Sequence, residues 1–263
     1  VKHCITCANG TDALQLALMA LNVSSADAVF IPDFTFFSTG EVVPWVHATP
    51  VFVDISDETF NISATSLEKA IQKVLQEGKL IPKAVIAVDL FGQPADYKEI
   101  RKITEKYHML LIEDGAQGFG GNIANQKACS FGDIATTSFF PAKPVGCYGD
   151  GGAVFTNNDE WAELIRSYKV HGKGTDKYDN IRIGMNSRLD TIQAAILSQK
   201  LHLLDTEIES CNHAAQIYGD CLKSVVKTPH IAEGMGSSWA QYTICLKSEQ
   251  EREVVVDRLR KAG

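Results

Sequence analysis

The stretch His108-Met-Leu-Leu-Ile-Glu-Asp-Gly115 decides the fold class. Its apolar middle predicts a strand over His108–Glu113 that is buried on both faces, as strands of parallel sheets are. Further apolar runs predict strands at Ala28–Ile31, Pro50–Asp54, Ala84–Leu90, Ile134–Ser138 and Ala153–Thr156. Helical periods alternate with them at Asp12–Leu21, Ser38–Val46, Ser66–Gln76, Tyr97–Tyr107 and Glu160–Val170. This alternation predicts an α/β fold with a mostly parallel sheet covered by helices on both faces.

The C-terminal quarter of the chain has a different pattern. A helical period runs from Arg188 to Leu222, and a loop over Lys223–Gly236, a strand over Ala240–Leu246 and a helix over Gln250–Ala262 follow. We therefore expect a large domain over residues 1–203 and the start of a smaller, truncated α/β domain over 204–263. Because the chain begins at a valine and stops after a helical pattern, we also expect further sequence at both ends.

Composition excludes several classes of protein. The 263 residues are 45% hydrophobic with a net charge of −7, which argues against disorder and against a nucleic-acid surface. No apolar run approaches the ~18 residues of a membrane span. Seven cysteines, an odd number, favour free thiols in a reducing cytoplasm. The lone Cys4–Cys7 pair and the scattered histidines lack the spacing of a metal site, so we expect no metal.

Lys143 is the first candidate for chemistry. It lies in Ser138-Phe-Phe-Pro-Ala-Lys-Pro-Val-Gly-Cys-Tyr-Gly-Asp-Gly-Gly152, a proline- and glycine-shaped loop that follows a predicted strand. A desolvated lysine has a lowered pKa and a nucleophilic amine. A solvated loop lysine is the alternative that the local sequence leaves open.

Other candidates also follow strands or open helices, where ligands bind on such sheets. Asp114 could bind a metal, a ribose or a protonated ring nitrogen, or it could cap a helix or a turn. Gly10, Thr11 and Asp12 open a helix whose free N–H groups favour an anion, with a plain N-cap as the alternative. Two more residues have equally plain alternatives: strand-end Ser138 could bond to nearby backbone, and Phe36, which could stack on a flat ring, could lie in the core.

Gly118-Phe-Gly-Gly121 also follows a strand, as a dinucleotide-binding loop would. The spacing is incomplete, and Asn122–Gln126 predicts a turn where such a loop needs a helix. A nicotinamide-dependent dehydrogenase therefore stays only a distant alternative, based on the α/β pattern alone.

The order of the motifs resembles one family. The motifs are Gly10-Thr-Asp-Ala-Leu14, Pro32-Asp-Phe-Thr-Phe36, Glu113-Asp-Gly-Ala-Gln117, Ser138-Phe-Phe-Pro-Ala-Lys143, Gly149-Asp-Gly-Gly152 and Gly184-Met-Asn-Ser-Arg-Leu-Asp190. From Gly10 onward the chain resembles the DegT/StrS-type sugar aminotransferases, fold-type-I enzymes that depend on pyridoxal 5′-phosphate (PLP). The resemblance implies a three-layer αβα large domain. The Ser138–Lys143 and Asn186–Asp190 stretches are its most specific parts.

The resemblance also implies a role for each candidate. Lys143 bonds covalently to PLP and moves the proton, and Asp114 pairs with the ring nitrogen. Gln117 lies over the ring or near its hydroxyl, and Phe36 stacks on the other side. The remaining implied contacts are to the phosphate, from Gly10, Thr11, Asp12 and Ser138. The resemblance also implies a homodimer in which Asn186 of one subunit contacts the phosphate bound by the other. His171 and Arg182 are weaker candidates for substrate contact.

The implied function is transfer of an amino group, from L-glutamate by family analogy, to a nucleotide-linked keto-sugar. The Pro141–Gly152 run most resembles members that act on UDP-linked N-acetyl sugars, and the product would enter surface polysaccharide or glycan. One alternative is a PLP- or PMP-dependent sugar dehydratase, although histidine often replaces the lysine in those relatives. The other is a non-catalytic regulatory relative, which the intact lysine, aspartate and serine set disfavours. The aminated carbon is left open.

Overall fold

A computed structural model of the protein describes residues 1–176 and 178–263. The strands are β1 (His3–Cys7), β2 (Asp27–Pro32), β3 (Thr49–Val53), β4 (Ile81–Val88), β5 (Leu110–Asp114), β6 (Asn122–Ile123), β7 (Gln126–Lys127), β8 (Ile134–Ser138), β9 (Gly152–Thr156) and β10 (Met235–Gly236). Seven of them form the main sheet in the order β1-β9-β8-β5-β4-β2-β3, in which β9 alone runs antiparallel to its neighbours. The short strands β10, β6 and β7 form a separate sheet. The predicted mostly parallel sheet is confirmed.

The helices are α1 (Gly10–Ala20), α2 (Ser38–Trp45), α3 (Ala64–Glu77), α4 (Tyr97–Lys106), α5 (Asp159–Tyr168), α6 (Thr191–Lys200), α7 (Leu204–Leu222) and α8 (Glu249–Ala262). Side-chain caps fix several starts: Asn9 accepts from Asp12 N–H, Ser63 from Ser66 N–H and Asn158 from Trp161 N–H. Gly78 ends α3 with a left-handed φ of 65°.

Alternation along the strands sends side chains to two separate cores. On β2, Val29 and Ile31 pack in one core with α1, α2 and α5, whereas Ala28 and Phe30 pack in the other with α3 and α4. The sheet is therefore the middle of three layers, as expected. In the part of the chain that is described, no helix is both long and apolar enough to cross a membrane.

Two predictions for the C-terminal quarter are wrong. The period over Arg188–Leu222 is two helices, because the N–H groups of His202 and Leu203 bond to carbonyls three residues back and so tighten the chain into a turn. Residues 240–246 form no strand beyond a single bridge between Cys245 and Lys227, since Gln241 N–H instead bonds to Phe91 O. The helix predicted at Gln250–Ala262 is confirmed as α8. The division at residue 203 stays a prediction.

Candidate active site

The carboxyl ends of β5 and β8 and the start of α1 meet at one edge of the sheet. Asp114 ends β5, Ser138 ends β8, and a Cβ added at Gly10 would lie 2.8 Å from Ser138 Cβ. Glycine is needed at this helix start because any larger residue would collide with the strand end. The fold thus brings together three candidates that are up to 128 residues apart in sequence.

The start of α1 offers donors for an anion. Asn9 Oδ1 accepts from Asp12 N at 2.8 Å, and Asn9 O accepts from Ala13 N at 3.1 Å. The N–H groups of Gly10 and Thr11 therefore have no acceptor within the helix. Ser138 Oγ, next to Gly10, accepts from Phe140 N at 3.2 Å and keeps its own proton free to donate. The N-cap alternative holds for Asn9, and it leaves the two N–H groups open to a phosphate.

Asp114 is buried and hydrogen-bonded. Its Oδ2 accepts from Thr39 Oγ1 at 3.1 Å and its Oδ1 accepts from Ala116 N at 3.2 Å. Burial raises the pKa of this carboxyl, and the Ala116 N–H, the Lys143 charge and the Thr39 hydroxyl oppose the rise. A buried carboxylate at this edge is suited to hold a positively charged partner group. The turn-cap alternative is also realised, since Ala116 N–H is bound.

Lys143 is half-buried on a tight loop. The backbone N–H of Lys143 donates to Phe140 O at 2.9 Å, and the backbone N–H of Cys147 donates to Phe139 O at 2.8 Å. These two bonds close the loop on either side of the lysine. Burial lowers the pKa of the amine, and the Asp114 carboxylate partly restores it. The Lys143 side chain is therefore neither freely solvated nor fully paired. At a given pH, a larger fraction of its amine is neutral and nucleophilic than in a solvated lysine.

Phe36 lies beside this amine. Its ring centroid is 6.0 Å from Lys143 Nζ, and 66% of the side chain is exposed. The alternative of core burial is therefore wrong, and the ring face is open to a flat ligand.

Gln117 lies on the loop after β5 with its amide partly used. Its Oε1 accepts from Phe91 N at 2.6 Å, and its backbone O accepts from Ser238 Oγ at 2.6 Å. The side-chain NH₂ is the group left to face a ligand. These bonds tie together three segments that sequence reasoning treated separately.

The remaining candidates lie on the loop that follows α5. His171 N–H bonds to Met185 O at 2.9 Å, and the Arg182 guanidinium carbon is 5.7 Å from the Tyr168 ring centroid. Asn186 is exposed, and the next residue, Ser187, accepts from Ala8 N at 3.0 Å. The loop thus adjoins the start of α1, but no contact in the described residues joins these three side chains to Lys143 or Asp114.

A cleft of about 420 Å³ opens beside Lys143. The first half of α7 and residues 238–240 line its other wall, including Glu207, Cys211 and Trp239. Trp239 has a left-handed φ of 51°, and its Nε1 donates to Asn212 Oδ1 at 2.7 Å. Sequence reasoning missed these residues because the cleft forms only where α7 and residues 238–240 pack near Lys143, and no local pattern shows that meeting. It also missed Thr39, because its bond to Asp114 joins residues 75 positions apart in the chain.

The glycines at residues 118–121 do not form a dinucleotide loop. Strand β6 follows them where a helix would be needed, and a Cβ at Gly120 would lie 2.4 Å from Ile208 Cδ1 of α7. Gly120 packs closely under α7, whereas Gly118 packs against Asp89 and Gly121 against the backbone carbonyl of Gly92.

The comparisons with known proteins agree with each other. A sequence model of the DegT/DnrJ/EryC1/StrS aminotransferase family matches residues 1–263. The chain is 46% identical to UDP-2-acetamido-2-deoxy-3-oxo-D-glucuronate aminotransferase of Pseudomonas aeruginosa, over 100% of this chain and 70% of that protein.

Two solved structures are similar as well. One is a DegT DnrJ EryC1 StrS aminotransferase from Brucella abortus, with a TM-score of 0.93 and 50% identity over 95% of this chain and 67% of that one. The other is NtdA of Bacillus subtilis with bound cofactor PMP, with a TM-score of 0.86 and 29% identity over 96% and 57%. The chain therefore spans 57% to 70% of the length of these three relatives.

Proposed function

This chain belongs to the DegT/DnrJ/EryC1/StrS aminotransferase family, and we propose that it transfers an amino group from L-glutamate to a nucleotide-linked keto-sugar. The observation that carries the proposal is that Lys143 lines an open cleft while its amine lies close enough to the buried Asp114 carboxylate for each group to shift the pKa of the other. The Pseudomonas relative is named for a UDP-linked N-acetylated keto-sugar, which supports that class of acceptor here. The product would serve surface polysaccharide or glycan biosynthesis.

PLP is the cofactor of this family, and the residues present fit its chemical parts. The free N–H groups of α1 and the Ser138 hydroxyl suit its phosphate, in a cradle that a Cβ at Gly10 would fill. The buried Asp114 carboxylate suits its ring nitrogen, and the open face of Phe36 suits its flat ring. The half-buried Lys143 amine suits its aldehyde.

When bound, PLP supplies an aldehyde for amino groups and a ring that takes up electrons from the reacting carbon. The residues of the chain provide the rest of the catalysis. The Asp114 carboxylate would hold a proton on the ring nitrogen, which would keep the ring electron-poor. Lys143 Nζ would take the proton from the carbon that bears the amino group and return it two atoms away, on the other side of the nitrogen. The loop after α5 is proposed to supply three more contacts: one to the cofactor phosphate of a neighbouring subunit, from Asn186, and two to the substrate, from His171 and Arg182.

Lys143 also separates the proposal from its nearest alternatives. A dehydratase of the same fold has less need of a lysine at this position, and a purely regulatory relative has no need of the lysine or of its buried carboxylate partner. Analysis of the sugar-nucleotide product by mass would distinguish gain of an amine from loss of water. Titration with NADH would test the dehydrogenase reading in the same preparation.

We propose that the active site is shared within a homodimer in the cytoplasm. The loop after α5 supports this, because Ile183 is 91% exposed and Asn186 is exposed nearby. If one subunit lends Asn186 to the other, mixing Lys143→Ala with Asn186→Ala subunits forms hybrids with one intact site. Recovery of activity on mixing supports the shared site, whereas no recovery in dimers shown to exchange subunits contradicts it.

The visible absorbance spectrum with added PLP tests the function first. Wild-type protein should show a yellow band that glutamate bleaches, and Lys143→Ala should show neither. Lys169→Ala is a matched control, because Lys169 is also partly buried with a lowered pKa but its Nζ bonds to Thr6 O on β1. A panel of UDP- and dTDP-linked keto-sugars then tests the acceptor, and turnover with dTDP sugars alone would contradict the UDP assignment.

A further inference from the structure

A second pair of buried carboxyls lies next to the candidate site. Asp89 follows β4, Glu113 precedes Asp114 on β5, and both side chains are fully buried. Neither carboxyl has a lysine or arginine among its hydrogen-bond partners in residues 1–176 and 178–263. The titratable groups that face the pair are Tyr97 of α4 and Cys129 of the turn after β7. Two like charges buried together without a cation are costly, so one carboxyl must hold a proton.

Their hydrogen bonds decide which carboxyl is charged. Glu113 accepts three backbone N–H groups, from Cys129, from Phe131 at 2.6 Å and from Gly132 at 3.2 Å, which is the environment of a carboxylate. Asp89 uses only Oδ1, which accepts from Ala95 N at 3.1 Å and Tyr97 Oη at 2.7 Å.

The other oxygen of Asp89 points to a shared proton. Oδ2 is buried and has no donor among the described residues, so as an ionised oxygen it would be unpaired. Burial and then the Glu113 charge raise the pKa of Asp89 well above its ordinary value, and a hydrogen bond between the two carboxyls adds to the rise. Ala87, two residues before Asp89, is the register partner of Glu113 on β4, so Glu113 is the neighbouring acceptor for a proton on Oδ2.

Asp89 also touches the turn that joins Asp114 to Gln117. A Cβ added at Gly118 would lie 2.3 Å from Asp89 Oδ2, and one at Gly115 would lie 3.7 Å from it. The Asp89 N–H bonds to Asp114 O at 3.0 Å. The protonated oxygen is thus packed against the backbone that carries both proposed cofactor contacts.

We propose that Asp89 is a neutral acid that shares its proton with ionised Glu113, and that this pair is a positioning element for the Asp114–Gln117 turn. Neutrality matters because an ionised Asp89 would place an unpaired Oδ2 against the Gly118 backbone and would repel the Glu113 carboxylate beside it. The link to PLP rests on the proposed function, whereas the shared proton does not.

Infrared spectroscopy of the purified protein tests the shared proton without either substrate. We expect a protonated-carboxyl C=O band at neutral pH that shifts in D₂O and is absent in Asp89→Asn. Asp27→Asn is the matched control, since Asp27 is also buried but accepts from Ser24 N at 2.8 Å, and it should keep the band. Tyr97→Phe deletes one bond to Oδ1 and should move the band to higher wavenumber. A wild-type spectrum without such a band, or a band that neither variant changes, would overturn the assignment.

PLP affinity tests the positioning role. The amide of Asp89→Asn can accept from Tyr97 and donate to Glu113 as the neutral acid does, so PLP should bind within about threefold of wild type. Asp89→Ala removes one hydrogen-bond partner from Tyr97 and the acceptor of the Ala95 N–H, and it deletes the proton shared with Glu113, so PLP should bind about tenfold or more weakly. Equal weakening by both variants contradicts the positioning role, even where the infrared band is present. Neither the infrared band nor the PLP affinity depends on a sugar substrate. A protein that aminates none of the sugars tested would therefore contradict the proposed function without affecting this test.

Discussion

Gly10→Ala tests whether the start of α1 and the end of β8 form one phosphate cradle. The new Cβ would lie 2.8 Å from Ser138 Cβ and 3.3 Å from its Oγ. Ser138 is buried at a strand end and cannot swing away as the tip of a long side chain would. Either the serine hydroxyl or the first turn of α1 must therefore move.

Two effects set the magnitude. Overpacking costs about 1–3 kcal/mol of unfolding free energy, and the better helix propensity of alanine returns about 0.5–1 kcal/mol. If the shift also breaks one hydrogen bond to a charged phosphate, worth about 1.5–3 kcal/mol, PLP should bind about 10- to 150-fold more weakly. The loss of affinity should thus exceed the loss of fold stability.

Absorbance titration with PLP measures the affinity, and Gly40→Ala is the matched control. A Cβ at Gly40, also in the first turns of a helix, meets only the flexible tip of Ile31 at 3.3 Å. Thermal unfolding gives a second readout, because PLP at 100 times the wild-type Kd stabilises by about 2.7 kcal/mol but by only about 1.4 kcal/mol if Kd rises tenfold. If Gly10→Ala binds PLP as tightly as Gly40→Ala does, the cradle assignment is wrong.

Three further outcomes are expected. The rate at which the protein captures PLP should rise with pH around a midpoint below the ordinary lysine pKa, because burial lowers the pKa of Lys143. Asp114→Asn removes the charge that raises this pKa, so stopped-flow absorbance should place the midpoint of the variant at still lower pH. A midpoint shifted upward would contradict the pairing of Lys143 with Asp114. Trp239→Ala should raise KM for the sugar substrate by about 2- to 12-fold in steady-state assays, the worth of one aromatic contact, while Trp45→Ala should leave it unchanged. Thr39→Val removes a donor to the buried Asp114 carboxylate and should lower the free energy of unfolding by about 1–3 kcal/mol in a denaturant titration, an effect that Thr35→Val, which leaves the Thr39–Asp114 bond in place, should not match.

Local patterns predicted much of the site itself. Ser138 and Asp114 were found because they follow strands whose apolar runs are evident in the sequence, and Gly10 because it opens a strongly periodic helix. The family motif order then supplied Lys143 and Gln117, which the local sequence left ambiguous. For Phe36 the sequence left open whether the ring stacks on a ligand or lies in the core, and the structure shows it exposed beside the Lys143 amine.

The sequence by itself determined the layered α/β fold and the strand ends that carry the chemistry, because the periods of 2 and 3.6 residues are local properties. Tertiary structure alone decided the far wall of the cleft and the proton shared by Asp89 and Glu113. Trp239 lines the cleft with Lys143 in a segment where Gln241 bonds to the Phe91 backbone instead of joining a strand. Asp89 keeps its proton because β4 and β5 lie side by side and bring Glu113 next to it, with no lysine or arginine among the hydrogen-bond partners of the pair in the described residues. Such contacts join residues far apart in the chain, and no pattern within a single segment encodes them.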